Sequence, residues 1–351
     1  MLHFGQSRLT KGVLCLLPIP LATVFVLCLL YAGQVLGKPM QVVAITDAAG
    51  LGDKGFNDVC WQGVQRARAE FGLETKFLQS REPADYVANL TLSAQHADVV
   101  VTLGYLFEDA VKKVAPHFPR TRFVHMEGNI PGNNVACYDF RSEEGGFLAG
   151  LVAGLFTKSL KVGVVSGMDI PPVEAYVSGF RAGIKTAEKL RQRPVETIVV
   201  SAGSFNDPVK GKSLAQTLAH RYVDVIFRVA GNTGVGVTQA VKDQEGVYLI
   251  ADDLDQDADL PGKILTSTLK RMDLAIYAAL RDIVKGEFKA GHHWLGAPDG
   301  AIDITDMKYS QKLFTAQDLQ HIQKARTLLK GGKLLIPENQ TVLNSFQPPD
   351  L

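Results

Sequence analysis

The chain has 351 residues, 46% of them apolar and 21% charged, with 37 basic and 36 acidic side chains and a formal net charge of +1. That apolar content excludes a disordered chain, and the charge leaves no basic footprint for nucleic acid. Four cysteines in this length exclude a disulfide scaffold, while the length allows more than one compact domain.

The charges are unevenly placed. From Gly12 to Gly37 run 26 residues without a charge, preceded by Arg8 and Lys11. A basic start, a Leu/Val-rich stretch and small residues at its end predict an export signal, cut after Gly37 with Val35 and Gly37 as the small residues before the cut. The alternative is an uncleaved membrane anchor, since the stretch is long enough to span a bilayer; Pro18 and Pro20 speak against it. Cys15 follows Val13-Leu14 and Cys28 follows Val26-Leu27, so neither has the small-residue pair that precedes a lipid-bearing cysteine. A periplasmic protein beginning at Lys38 is expected. Removing Arg8 and Lys11 leaves 35 basic against 36 acidic side chains, net −1. Cys60 and Cys137 remain; they could pair in an oxidising compartment, and two buried, unpaired thiols are the expected state.

Short Val/Ile/Thr-rich runs then recur: 41–46, 75–79, 98–103, 121–126 and 134–137, and again 162–166, 197–201, 223–229, 247–251 and 264–268. Helical patterns separate them at 57–71, 83–95 and 107–115 in the first set, and at 172–190, 208–221 and 233–243 in the second. Strands alternating with helices predict parallel sheets covered on both faces. The alternation runs twice, joined by a helical stretch at 142–157, so two doubly wound α/β lobes are expected, with a multi-strand hinge in place of a low-complexity linker. The predicted division is 1–37 for the export signal, 38–145 plus about 270–305 for the N-terminal lobe, and 146–269 plus about 306–345 for the C-terminal lobe. The last portion, with helices near 271–285 and 315–329 and short Gly-rich strands, is expected to complete these lobes.

In open parallel sheets ligands sit beyond the carboxyl ends of strands. The segments to inspect are Asp47 to Asn57, Gly104-Tyr105 and Glu127-Gly128, then Gly167 to Asp169, Gly203 to Phe205, Gly231 to Thr233 and Asp252-Asp253. Rich in glycine, acids and aromatics, they describe a polar cleft with stacking surfaces.

Catalytic and cofactor motifs fail by spacing. Gly211-Lys212-Ser213 has Asn206 where a phosphate loop needs glycine, and it lies in a helical pattern, so it reads as a solvated helix face. Gly231, Gly234 and Gly236 follow a strand in the wrong order for a dinucleotide fingerprint; a glycine turn with an acid on the next strand suits a sugar instead. His292-His293 are adjacent, not at metal-ligand spacing, and read as a loop pair. Cys60 reads as core beside Trp61, and no nucleophile elbow occurs. Asp252 and Asp253, consecutive on a strand, would face opposite ways and cannot act as an acid/base pair. No catalytic residue, metal or cofactor is predicted.

The richest segment runs from Ile45 to Asp58. Asn57 or Asp58 is expected to cap the following helix, with Phe56 on an exposed turn before it, as a ligand-facing ring or a hydrophobic staple. This segment, with Thr46-Asp47 and Asp53-Lys54-Gly55-Phe56-Asn57, resembles the basic membrane protein family of substrate-binding proteins, which serve ABC transporters and include purine nucleoside receptors. Further matching pieces are Phe147-Leu148-Ala149-Gly150, Gly179 to Gly183, Gly203 to Pro208, Ala230 to Val237, Asp253 to Gln256 and Thr266 to Asp273. The resemblance covers about Val42 to Pro337.

It implies a type I periplasmic-binding fold whose lobes close on ligand. Phe56 and Phe205 would sandwich a base, Asp47 and Asn57 would bond its polar groups, and Gly231, Asp253 and Lys270 would hold the ribose. The implied function is that of a monomeric, non-catalytic receptor that passes a nucleoside, a purine in the first place, to an ABC permease. Two departures stand out: the lipid-receiving cysteine of many members is missing, and the family's Gly-Val-Asp reads Ala251-Asp252-Asp253 here. Another ring-bearing ligand such as a flavin, a membrane-tethered sensory receptor and a nucleoside-processing enzyme are the alternatives.

Overall fold

The structure, a computed structural model, describes residues 38–351. The export segment expected at 12–37 and its cleavage point lie outside the described residues. No described helix is long and apolar enough to cross a membrane.

The strands are β1 (Gln41–Thr46), β2 (Glu74–Gln79), β3 (Val99–Leu103), β4 (Arg122–Met126), β5 (Val135–Phe140), β6 (Lys161–Ser166), β7 (Glu196–Ser201), β8 (Val225–Val229), β9 (Tyr248–Ala251), β10 (Ile264–Lys270), β11 (Gly291–Leu295) and β12 (Ile302–Ile304). They form two six-stranded sheets, ordered β11-β5-β4-β3-β1-β2 and β12-β10-β9-β8-β6-β7. Among the described strands only β12 runs antiparallel to its neighbour, pairing Thr268 with Ile304. Near-continuous apolar runs such as Val99 to Leu103, buried at every position, suit strands covered on both faces.

The covering helices are α1 (Phe56–Phe71), α2 (Asp85–His96), α3 (Glu108–Val114), α4 (Ser142–Phe156), α5 (Pro171–Arg191), α6 (Pro208–His220), α7 (Thr233–Asp243), α8 (Met272–Val284), α9 (Ala316–Lys330) and the short α10 (Gln340–Leu343). Helix α4 is buried along its whole length against α5. That contact depends on glycine: a Cβ on Gly150 would lie 2.0 Å from the Phe180 carbonyl oxygen, and one on Gly183 would lie 2.1 Å from that of Phe147. Two of the motifs behind the family resemblance are therefore helix packing, not ligand contact.

The chain passes between the sheets three times, after β5, after β10 and after β11. The crossings are tied by Arg141 N–H donating to Leu295 O at 2.9 Å and Arg271 N–H to Ala301 O at 2.8 Å. The expected multi-strand hinge is present, with shifted boundaries. The chain leaves the first sheet at Arg141, ahead of the predicted 145. The residues near 302–304, predicted to belong to the N-terminal lobe, pair instead with β10 in the second sheet.

Candidate functional site

Strand order reverses around β1, between β2 and β3, and around β6, between β7 and β8. At such a switch point, neighbouring connections leave toward opposite faces and open a crevice at the strand ends. The two crevices face one another in a cleft lined by residues of both sheets. All seven residues predicted from the sequence line it: Asp47, Phe56, Asn57, Phe205, Gly231, Asp253 and Lys270. Tyr105, Glu127, Tyr176 and Asp252 line it as well.

On the first sheet's side, Gly55 stands at the N-cap of α1 and the carboxylate that caps it is that of Asp53, not of Asn57 or Asp58. Its carboxylate accepts from the N–H groups of Gly55 at 3.0 Å, Asn57 at 2.9 Å and Asp58 at 3.2 Å, satisfying the open donors of the first turn. Asp58 accepts instead from Gly52 and Lys54 N–H, at 2.8 and 3.0 Å, and so braces the loop. Burial pushes the Asp53 carboxyl up to about 6 against these donors, with Asp58 adding to the rise. Capping by Asp53 frees the Asn57 side chain for the cleft. Its Nδ2 donates to Asp47 Oδ1 at 3.4 Å, and its buried Oδ1 has no hydrogen-bond partner within the protein. Asp47 also accepts from Ala49 N–H at 3.1 Å, and burial holds its carboxyl above the usual range. Phe56 is the first helical residue and half-buried, not a member of an exposed turn.

On the second sheet's side, Phe205 lies across Gly167: a Cβ there would stand 2.2 Å from its ring. Gly231, with φ of +53°, turns the chain beside the same ring. Asp252 and Asp253 fall just past β9 and do diverge. Asp253, at φ +62°, accepts from the Tyr176 hydroxyl at 3.0 Å, while Asp252 turns to Arg228, its Oδ1 3.4 Å from Nη1. Burial raises both carboxyls, that of Asp252 to about 7 although Arg228 opposes the rise. Arg228 is itself buried and donates through Nη2 to Gln256.

Lys270, at the end of β10, is 2% exposed and bonds Glu127, which follows β4 on the other sheet. Burial disfavours its ammonium, but Glu127 and Asp253 more than offset this and hold its pKa above the ordinary value. The same ammonium lies 5.6 Å from the Phe56 ring centre and 5.4 Å from that of Tyr176. Glu127 was visible as a strand-end residue but not singled out. Tyr176 sits within α5, where no local signal marks it.

The remaining motifs fall elsewhere. Gly211-Lys212-Ser213 lies in α6, where Lys212 pairs with Asp243 at 3.0 Å. His292 and His293 are in β11 rather than a loop; the first meets Asp139 at 2.6 Å and the second stacks on Tyr138. Cys60 and Cys137 are buried and unpaired. Among the described residues no group of His, Cys, Asp and Glu is arranged to hold a metal ion.

Two parallel-sheet α/β lobes, a three-stranded hinge and a cleft lined from both switch points define a periplasmic-binding-type solute receptor. A solute-binding protein of an ABC transporter system from Aeropyrum pernix K1 has this architecture, with a TM-score of 0.82 and 27% identity over 88% of this chain and 96% of its own. The family model of ABC transporter substrate-binding proteins called Bmp, PnrA-like, matches residues 40–340, and the chain belongs to that family. It is a family of solute-binding proteins, not of enzymes. An uncharacterised lipoprotein of Pyrococcus furiosus is 31% identical over 282 residues, 77% of this chain and 71% of the relative. An ABC transporter nucleoside-binding protein of Lactococcus lactis subsp. cremoris is 27% identical over 323 residues, 85% of this chain and 89% of its own.

Proposed function

We propose that this protein is an exported, monomeric, non-catalytic receptor that captures a nucleoside, a purine in the first place, and hands it to an ABC permease. The observation that carries the reading is a pair of phenyl rings, Phe56 from one lobe and Phe205 from the other, lining one cleft together with buried carboxylates. An aromatic platform takes any base by its face, at about 1–3 kcal/mol per stacked base. Asp47 and Asn57 offer acceptors to the polar edge of the base, and Asp253, held by Tyr176, accepts from vicinal hydroxyls while Lys270 donates to an oxygen. The printed description of the Lactococcus lactis relative as nucleoside-binding supports the same ligand class. Ligand bridging both lobes favours the closed arrangement by contacts an open one lacks. Export by a cleaved signal at 1–37 places the receptor in the periplasm.

Thermal midpoints with inosine, guanosine, adenosine, uridine and riboflavin test the reading. A nucleoside at a hundred times its Kd should add about 2.7 kcal/mol. A midpoint unmoved by every nucleoside overturns it, and a shift with riboflavin alone transfers the cleft to a flavin.

A further inference from the structure

The cleft does not end at the base. A second space of about 1110 Å³, open to solvent, adjoins it and is bordered by residues of both lobes. Asp47, Ala49, Leu106 and Phe205 line both spaces. None of Gly231, Asp253 and Lys270 lines the second. The annex therefore continues the cleft from the end where the base is read, not from the ribose end.

Its walls are largely apolar. Pro83, Tyr86, Val87 and Leu106 come from the first lobe and Met168 from the second. Tyr86 is held in place by Phe107, ring centres 4.2 Å apart, so that wall is fixed. Val87 leaves 41% of its surface exposed, an apolar side chain without cover. The lobes touch at this same place: Asn206 Nδ2 donates to the Ala48 carbonyl at 2.8 Å, and both residues line the annex. Contact between the lobes thus leaves the annex open beside the cleft.

Resting on the nucleoside reading of the cleft, we infer that the annex receives an apolar or aromatic substituent on the exocyclic nitrogen of the base. The ligand class is a base-modified nucleoside, not only the plain one. Asp47 and Asn57 face the polar edge of the base, so a group on that edge leaves the cleft past Asp47 and enters the annex. There it covers Val87, Leu106 and Met168, removing apolar surface from water on both sides. A closed pocket would instead reject the added bulk by steric clash.

The probes are adenosine and N6-benzyladenosine, titrated calorimetrically into the wild-type protein and into Val87→Trp and Met168→Trp. Both substituted positions line the annex and not the cleft. The wild type should bind the benzyl compound no more than about threefold more weakly than adenosine. Each tryptophan variant should weaken the benzyl compound about tenfold or more and leave adenosine within twofold. Loss of benzyl binding by a wild type that still takes adenosine overturns the annex and leaves the nucleoside reading standing. So does equal weakening of both ligands in the variants. Failure of adenosine, inosine, guanosine and uridine alike removes the nucleoside reading, and the annex proposal with it.

Discussion

Lys270 and Glu127 form a buried ion pair that joins the end of β10 in one sheet to the end of β4 in the other. Neither carboxylate beside Lys270 is ordinary: burial raises Glu127 and Asp253 alike, and Lys270 opposes the rise at both, helped at Asp253 by Tyr176 and Arg228. A pair of this kind costs much when halved, because the survivor is left charged and dry, and little when both partners are replaced together. Lys270→Met should therefore lower the unfolding free energy by about 3 kcal/mol, and Glu127→Gln added to it should restore much of the loss. Urea unfolding at pH 7 measures both. A double variant no more stable than Lys270→Met would show that the two side chains do not act as a pair.

Tyr176 acts on the cleft through Asp253. Its hydroxyl donates to Asp253 Oδ1 at 3.0 Å and fixes that carboxylate oxygen. Removing a donor to a buried charged group costs about 1.5–3 kcal/mol. Tyr176→Phe should keep the ring and the fold but weaken nucleoside binding about tenfold, at the low end of that range. The loss should be confined to ligands with vicinal hydroxyls: a 2′-deoxynucleoside should lose less between wild type and variant. Equal losses for the two ligands would place the effect in the fold and not on Asp253.

The extent to which the sequence foretold this site follows from how local each signal is. The ten strands of the two repeated sets were readable because β-branched runs alternate with helical patterns at short range. Most of the cleft residues stood in the strand-end segments, where ligands sit, but the choice among them, and Lys270 altogether, came from the family resemblance. The cap of α1 was misplaced because Asp53 reaches forward over a bent loop, outside the spacing of a simple cap. Strand β12 went to the wrong lobe because its partner, β10, precedes it by a whole helix and strand. Tyr176 was invisible: seventy-seven positions separate it from Asp253, and the two meet only in the folded chain.

Phe205 owes its position to Gly167. A methyl group at Gly167 would sit 2.2 Å from the Phe205 ring, so Gly167→Ala must push that ring from its seat. Phe205→Ala removes the ring altogether, at about 1–3 kcal/mol for one lost stacking face. The alanine at 167 should cost a similar amount of binding although it touches no ligand, and the two changes together should cost little more than Phe205→Ala alone. Calorimetric titration of the four proteins with one nucleoside measures this. Full additivity would mean that Gly167 acts by some route other than the ring.

Glu143 sets a pH dependence of stability. Burial at the start of α4 raises its carboxyl from the ordinary 4.5 to about 7; Glu144 and Glu338 add to the rise, and Arg141, 4.0 Å away, opposes it. The folded protein thus holds this proton more tightly than the unfolded chain. Its contribution is fully present below pH 4.5, is lost as pH climbs toward 7, and stays absent above. Integrated over that window, the loss is about 3 kcal/mol. Glu143→Gln mimics the protonated form, so the two proteins should match near pH 4 and diverge as pH rises, with the variant the more stable at pH 8. Asp53 and Asp252 are raised in the same sense and contribute to both proteins alike, so the difference between the two curves isolates Glu143. Urea unfolding at half-unit steps from pH 4 to 8 gives that difference, and a gap that does not widen with pH would mean that Glu143 is already charged in the folded protein.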